Sequence, residues 1–131
     1  MIPFEFRLDR PNRLLHTIMR GFWDLETVVR YECALFPKLR ALDALRPGTT
    51  LSLVDSVDFP VQDRAVTASL GEVMLKRAGR LHPDRTAIVV GNALQKMQVS
   101  RHVVDDRVHL FVGEAEALAW LLQAAPRAKA A

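Results

Sequence analysis

Thr86-Ala87-Ile88-Val89-Val90 is a continuous apolar, β-branched run, closed by Gly91-Asn92 and preceded by Pro83-Asp84-Arg85. A run of this kind between turn residues reads as a strand buried on both faces, the mark of a parallel sheet. Parallel neighbours need crossover connections, usually helices, on either side in the chain. The flanking sequence supplies them. Upstream, Val66, Leu70, Val73 and Met74 line one face of a helix that Gly79 and Pro83 are expected to end. Downstream, Gly91-Asn92 leads into a short helix with Leu94, Met97 and Gln98 on one side.

Working outward, Thr50-Leu51-Ser52-Leu53-Val54-Asp55 is another strand and Val108-His109-Leu110-Phe111-Val112 the last. Phe4-Glu5-Phe6-Arg7-Leu8 alternates with period two, and Asp9-Arg10-Pro11-Asn12 turns it towards the run Leu14 to Met19, which predicts a hairpin. Asp24 is a good cap for a long helix carrying Leu25, Val28, Val29, Leu35, Phe36, Leu39 and Leu42, in which Pro37 is expected to make a kink or a break. Gly113-Glu114 opens a final helix that ends before Pro126. The order β-β-α-β-α-β-α-β-α implies an α/β fold with a mixed, mostly parallel sheet of about five strands and four flanking helices. Residues 1–125 read as a single domain and 126–131 as a short basic tail.

The 131 residues suit a single domain, and 50% hydrophobic with 25% charged residues excludes disorder and coiled coil as the dominant state. No apolar run approaches the roughly 18 residues of a membrane span. The lone cysteine, Cys33, excludes an intrachain disulfide and a cysteine-based zinc site, and Met1 to Arg10 does not read as a secretion signal. The cytoplasm is the expected compartment. The net charge of +3 arises in residues 66–131, where Lys76, Arg77, Arg80, Arg85, Lys96 and Arg101 face only Asp84 between positions 76 and 101. They are either a basic patch or scattered solvated side chains. No aromatic residue lies in that interval, so a stacking platform for single-stranded nucleic acid is missing there and no nucleic-acid partner is expected.

Catalytic constellations are not apparent. His16, His82, His102 and His109 form no close metal-type pair, so no metal and no cofactor is expected. Cys33, beside a strong apolar stripe in mid-helix, reads as a buried or half-buried inert thiol. Phosphate-binding glycine motifs and the nucleophile elbow are missing. Gly91 and Asn92, with Lys96 and Arg101 on the following helix, make either an anion-binding turn or a plain strand-to-helix turn. On a wheel centred on Leu118, Trp120 falls on the polar side of the last helix, so it packs either under a neighbouring loop or in a subunit contact.

Three stretches resemble the SpoIIAA-like family, small stand-alone proteins of the STAS fold related to anti-sigma-factor antagonists. They are Gly21-Phe22-Trp23-Asp24-Leu25-Glu26 leading to Tyr31, Arg85 to Gly91, and Val108 to Leu121 with its Ala117-Leu118-Ala119-Trp120-Leu121 close. The resemblance spans about residues 4–124. In phosphorylated members, a serine kinase of the anti-sigma type modifies an Asp-Ser-Ser-Gly turn after the third strand. The corresponding stretch here, Asp55 to Arg64, has no Ser-Gly pair, which puts phosphorylation control in doubt. Asp63 falls near the modified position, as a permanent negative charge or simply as a helix cap.

The resemblance implies a non-enzymatic regulatory or scaffold protein that works by protein–protein contact, with an anti-sigma-like or other regulatory partner. Its working surface is expected at Ser56, Asp58, Gln62, Asp63 and Arg64, with the Gly91–Lys96 turn beside it, and a homodimer is plausible. The alternative is a carrier or sensor of a small apolar or anionic ligand, including a lipid.

Overall fold

Five strands, β1 (Phe4–Asp9), β2 (Leu14–Met19), β3 (Leu51–Asp55), β4 (Arg85–Val89) and β5 (Val108–Phe111), lie side by side in chain order in one sheet. In this computed structural model residues 2–47, 49–80, 83–101 and 106–130 are described, with backbone alone at 75–80 and 124–130. The connecting helices are α1 (Leu25–Leu45), α2 (Arg64–Arg80) and α3 (Ala93–Ser100), and α4 (Glu114–Ala130) follows β5. β1 pairs antiparallel with β2, and all later pairs are parallel. In the hairpin turn Arg13 donates its N–H to the Arg10 carbonyl, with Pro11 between them and Arg13 at φ 50°. Proline is preset for the first central position of such a turn.

The chain-order topology decides where the helices go. Crossovers of the usual right hand that step in one direction place their helices on one face. α1, α2 and α3 accordingly share one core with Leu15, Val54 and Ile88 of the sheet, to which they bring Leu35, Val66 and Val99 among others. Aromatic residues close this core beside the hairpin: Phe4, Phe6, Trp23, Tyr31 and Phe59 form a connected group with ring centroids 5.0–5.8 Å apart. The other face is covered by α4, through Ala117 and Leu121 against Leu14, Leu51, Leu53, Ala87 and Val89. The sequence expectation of an α/β fold with a mixed, mostly parallel sheet and four helices is met.

Several local expectations are corrected. Pro37 does not divide α1. Proline removes the donor that would serve the carbonyl four residues earlier; that carbonyl belongs to Cys33, and Cys33 and Pro37 are both exposed, so water can serve it. Cys33 is not a buried thiol: α1 buries Val28, Tyr31, Leu35, Leu39 and Leu42, and Cys33 points away from that stripe. α2 ends at Arg80, between Gly79 and Pro83 as expected, whereas α4 continues through Pro126 to Ala130. His82 and His102, and the side chains of Lys76, Arg77 and Arg80, lie outside the described residues, so the basic patch is not visible as a whole. No helix among the described residues is long and apolar enough to cross a membrane.

Candidate functional site at the carboxyl edge of the sheet

Because β2 to β5 are parallel, the loops leaving them emerge at one edge, where ligands of open α/β sheets bind. The loop after β3 is held by several hydrogen bonds. Ser56 donates both its N–H and its hydroxyl to the Val89 carbonyl, at 2.9 and 2.7 Å, and its own carbonyl accepts from Phe59 N–H. Gly21 N–H donates to the Asp58 carbonyl at 3.0 Å. Gly21 has φ 72°, a left-handed backbone that glycine adopts at little cost. Gln62 completes the tie: its Oε1 accepts from Trp23 N–H at 2.7 Å, and its Nε2 donates to the Gly21 and Pro60 carbonyls.

The β4–α3 turn docks against this loop through Gln95. Gln95 Oε1 accepts from Gly91 N–H at 2.7 Å, while Nε2 donates to the Ser56 carbonyl at 3.0 Å and lies 3.4 Å from the Phe59 carbonyl. A Cβ at Gly91 would stand 3.1 Å from Gln95 Oε1, so a side chain there would press on the bridge. Asn92 caps α3 by accepting Gln95 N–H at 2.8 Å. An open groove of about 370 Å³ runs between the two loops, from Val57, Asp58 and Val61 to Leu94, Gln95 and Gln98.

The structure thus brings together the two stretches that the sequence proposed as neighbours, but it sorts their residues differently. Ser56 is buried and its hydroxyl is engaged, so it presents nothing outward. Gln62 is a fastener, with both ends of its amide bonded to backbone. Asp63 caps α2, accepting Val66 N–H at 2.8 Å, which is the simpler of its two expected roles. Asp58 is exposed in the groove's lining, and Asp63 and Arg64 are exposed but are not among the lining residues. Against the anion-binding reading, the Gly91 N–H is already donated to Gln95 Oε1; Asn92, Lys96 and Arg101 are exposed.

Trp120 packs inside the chain, on the sheet rather than under a loop. It stacks on His109 with centroids 4.4 Å apart, lies 5.6 Å from Phe111, and has the Arg85 guanidinium 4.7 Å above its ring. The inward side of α4 is not centred on Leu118, which is only half-buried. Ala117 and Leu121 mark the inward side, and Trp120 lies only about 60° from Ala117.

Sequence reasoning missed the apolar character of the surface. Leu94 and Met97, which share one side of α3, are 65% and 60% exposed, and no described residue of α3 is buried. Val57 and Val61 are 46% and 69% exposed across the groove. On the far side of the Gln62 tie, Phe22 is 80% exposed, next to the buried Trp23. A period of 3.6 shows that a helix has an apolar side but not what covers it.

Comparison with known proteins agrees with the architecture. No family model and no curated protein matches the chain. Among solved structures it is similar to an uncharacterized protein of the DUF3478 family with a SpoIIAA-like fold from Shewanella loihica PV-4. The two share 18% sequence identity and a TM-score of 0.69, over 90% of this chain and 93% of the other. At that identity the likeness carries the fold alone: this chain has the SpoIIAA-like fold that its sequence resembled.

Proposed function

We propose that this is a non-enzymatic regulatory or scaffold protein that binds a protein partner in the carboxyl-edge groove. The observation that supports this best is the outward apolar side of α3. Leu94 faces solvent across the groove from Val57 and Val61, with Met97 exposed three residues further along α3, and exposed apolar side chains with a polar rim are characteristic of interaction surfaces. Asp58 places negative charge among the groove's lining residues, which suits a partner with an apolar anchor beside a basic group. The exposed thiol of Cys33 fits a reducing compartment such as the cytoplasm.

Affinity capture from the native host, repeated with the Leu94→Glu/Met97→Glu double variant, tests the proposal. Both side chains are exposed, so stability is expected to stay within about 0.5 kcal/mol of the parent chain. A protein retained by the parent and lost by the folded double variant is the expected result. Identical capture by both chains overturns it. Native mass spectrometry of the same samples tests the alternative: a co-purifying lipid or small anion would make the chain a carrier. Light scattering reports whether the bound partner is a second copy of the chain.

A further inference from the structure

His16, Asp55 and Glu114 are remote in sequence and converge on the sheet face that α4 covers. Side chains alternate along a strand, so His16 shares its side of β2 with Leu14, and Asp55 shares its side of β3 with Leu51 and Leu53. Glu114 is the first residue of α4. One ligating atom from each of the three lies within 4.8 Å of the other two. Nε2 of His16 is shielded from solvent and has no hydrogen-bond partner. Glu114 Oε1 stands 3.4 Å from it, within ion-pair reach but without the geometry of a hydrogen bond. A buried ring nitrogen left without a bond is unfavourable, and a bound ion would satisfy it.

We propose that these three side chains bind a divalent first-row transition ion. One imidazole nitrogen and two carboxylates suit such an ion better than magnesium or calcium, which favour oxygen-only shells, and no thiolate is present to select a softer one. Ligand distances of about 2.0–2.2 Å place donors roughly 3–3.5 Å apart around a shared ion. The exposed Glu114 reaches that spacing by rotating its side chain. Asp55 is oriented already, because its Oδ1 accepts the Val57 N–H at 3.1 Å, the kind of support that holds a ligand in place. Three protein ligands leave further positions for water.

The test is calorimetric titration of zinc chloride into the full chain, stripped of metal and carrying Cys33→Ser so that the exposed thiol does not compete. A single equivalent is expected to bind. His16→Ala and Glu114→Gln should each weaken binding about tenfold or more, while His109→Gln, at the Trp120 stack, leaves it unchanged. Glu114 is exposed, so Glu114→Gln keeps the test open if His16→Ala fails to fold; circular dichroism reports which variants fold. Absence of binding overturns the proposal, as does an affinity that neither His16→Ala nor Glu114→Gln alters.

Discussion

The two faces of the sheet are built on different principles. The face carrying the crossover helices is a deep core: Leu15, Val54 and Ile88 meet long side chains from α1 and α2, and five aromatic rings close it beside the hairpin. The opposite face is thin. One helix covers it, and small residues, Ala87 and Ala117, are fully buried in that layer. Depth supplies most of the apolar burial and so most of the stability, whereas the thin face leaves room for polar groups such as His16 and Asp55 within the sheet. The carboxyl-edge groove lies between the β3–α2 and β4–α3 connections, and its outward side chains are free of packing duties.

The largest expected effect tests the deep face. Leu35, 1% exposed at the centre of α1's inward stripe, should cost about 2–5 kcal/mol when replaced by alanine, read from urea unfolding. A loss below about 1 kcal/mol would mean that this core is not what holds the molecule together. The next largest tests the thin face by overfilling it. Ala117→Leu adds volume at a position with no exposed surface, and should cost about 1–3 kcal/mol. Hydrogen exchange should show lost protection in α4 before α1; equal losses in both would erase the distinction between the faces.

The smallest effect is a pH dependence at the start of α1. The Thr27 hydroxyl and amide both donate to the Asp24 carboxylate, and these bonds hold its pKa below the ordinary value of 3.8. Being depressed in the folded state, this group adds stability that is fully present above 3.8 and is lost as the pH falls through its lower folded value. Asp24→Ala should therefore lower the melting temperature slightly at neutral pH. The gap between variant and parent should narrow in acid below about pH 3.8. A gap unchanged down to the acid limit would remove Asp24 from the account.

Most of the architecture was legible because periodicity reports it directly. β3 and β4 fall within a residue of where the alternation and the apolar run put them, and the hairpin and element order follow. What periodicity does not carry is which neighbour covers a given side. The apolar Leu94–Met97 side of α3 is visible in the sequence, but that it faces water is not. Cys33 could have been placed correctly: it is two residues from both Tyr31 and Leu35, about 200° around the helix from each. At the site, the proximity of the two loops was foreseeable, but the bonding that turns Ser56 and Gln62 inward depends on carbonyls of distant strands and turns. The meeting of His16, Asp55 and Glu114 requires β2, β3 and α4 to be assembled, and no spacing rule within one segment reveals it.

The helix that shields the thin face also comes after every strand in the chain. During synthesis on the ribosome, Leu51, Leu53, Ala87 and Val89 are made and can pair before their cover exists. Until α4 leaves the exit tunnel, the nascent sheet shows a sticky apolar side, the sort of surface that chaperones recognise and that aggregates when crowded. Completion of this fold is thereby tied to the delivery of one late segment.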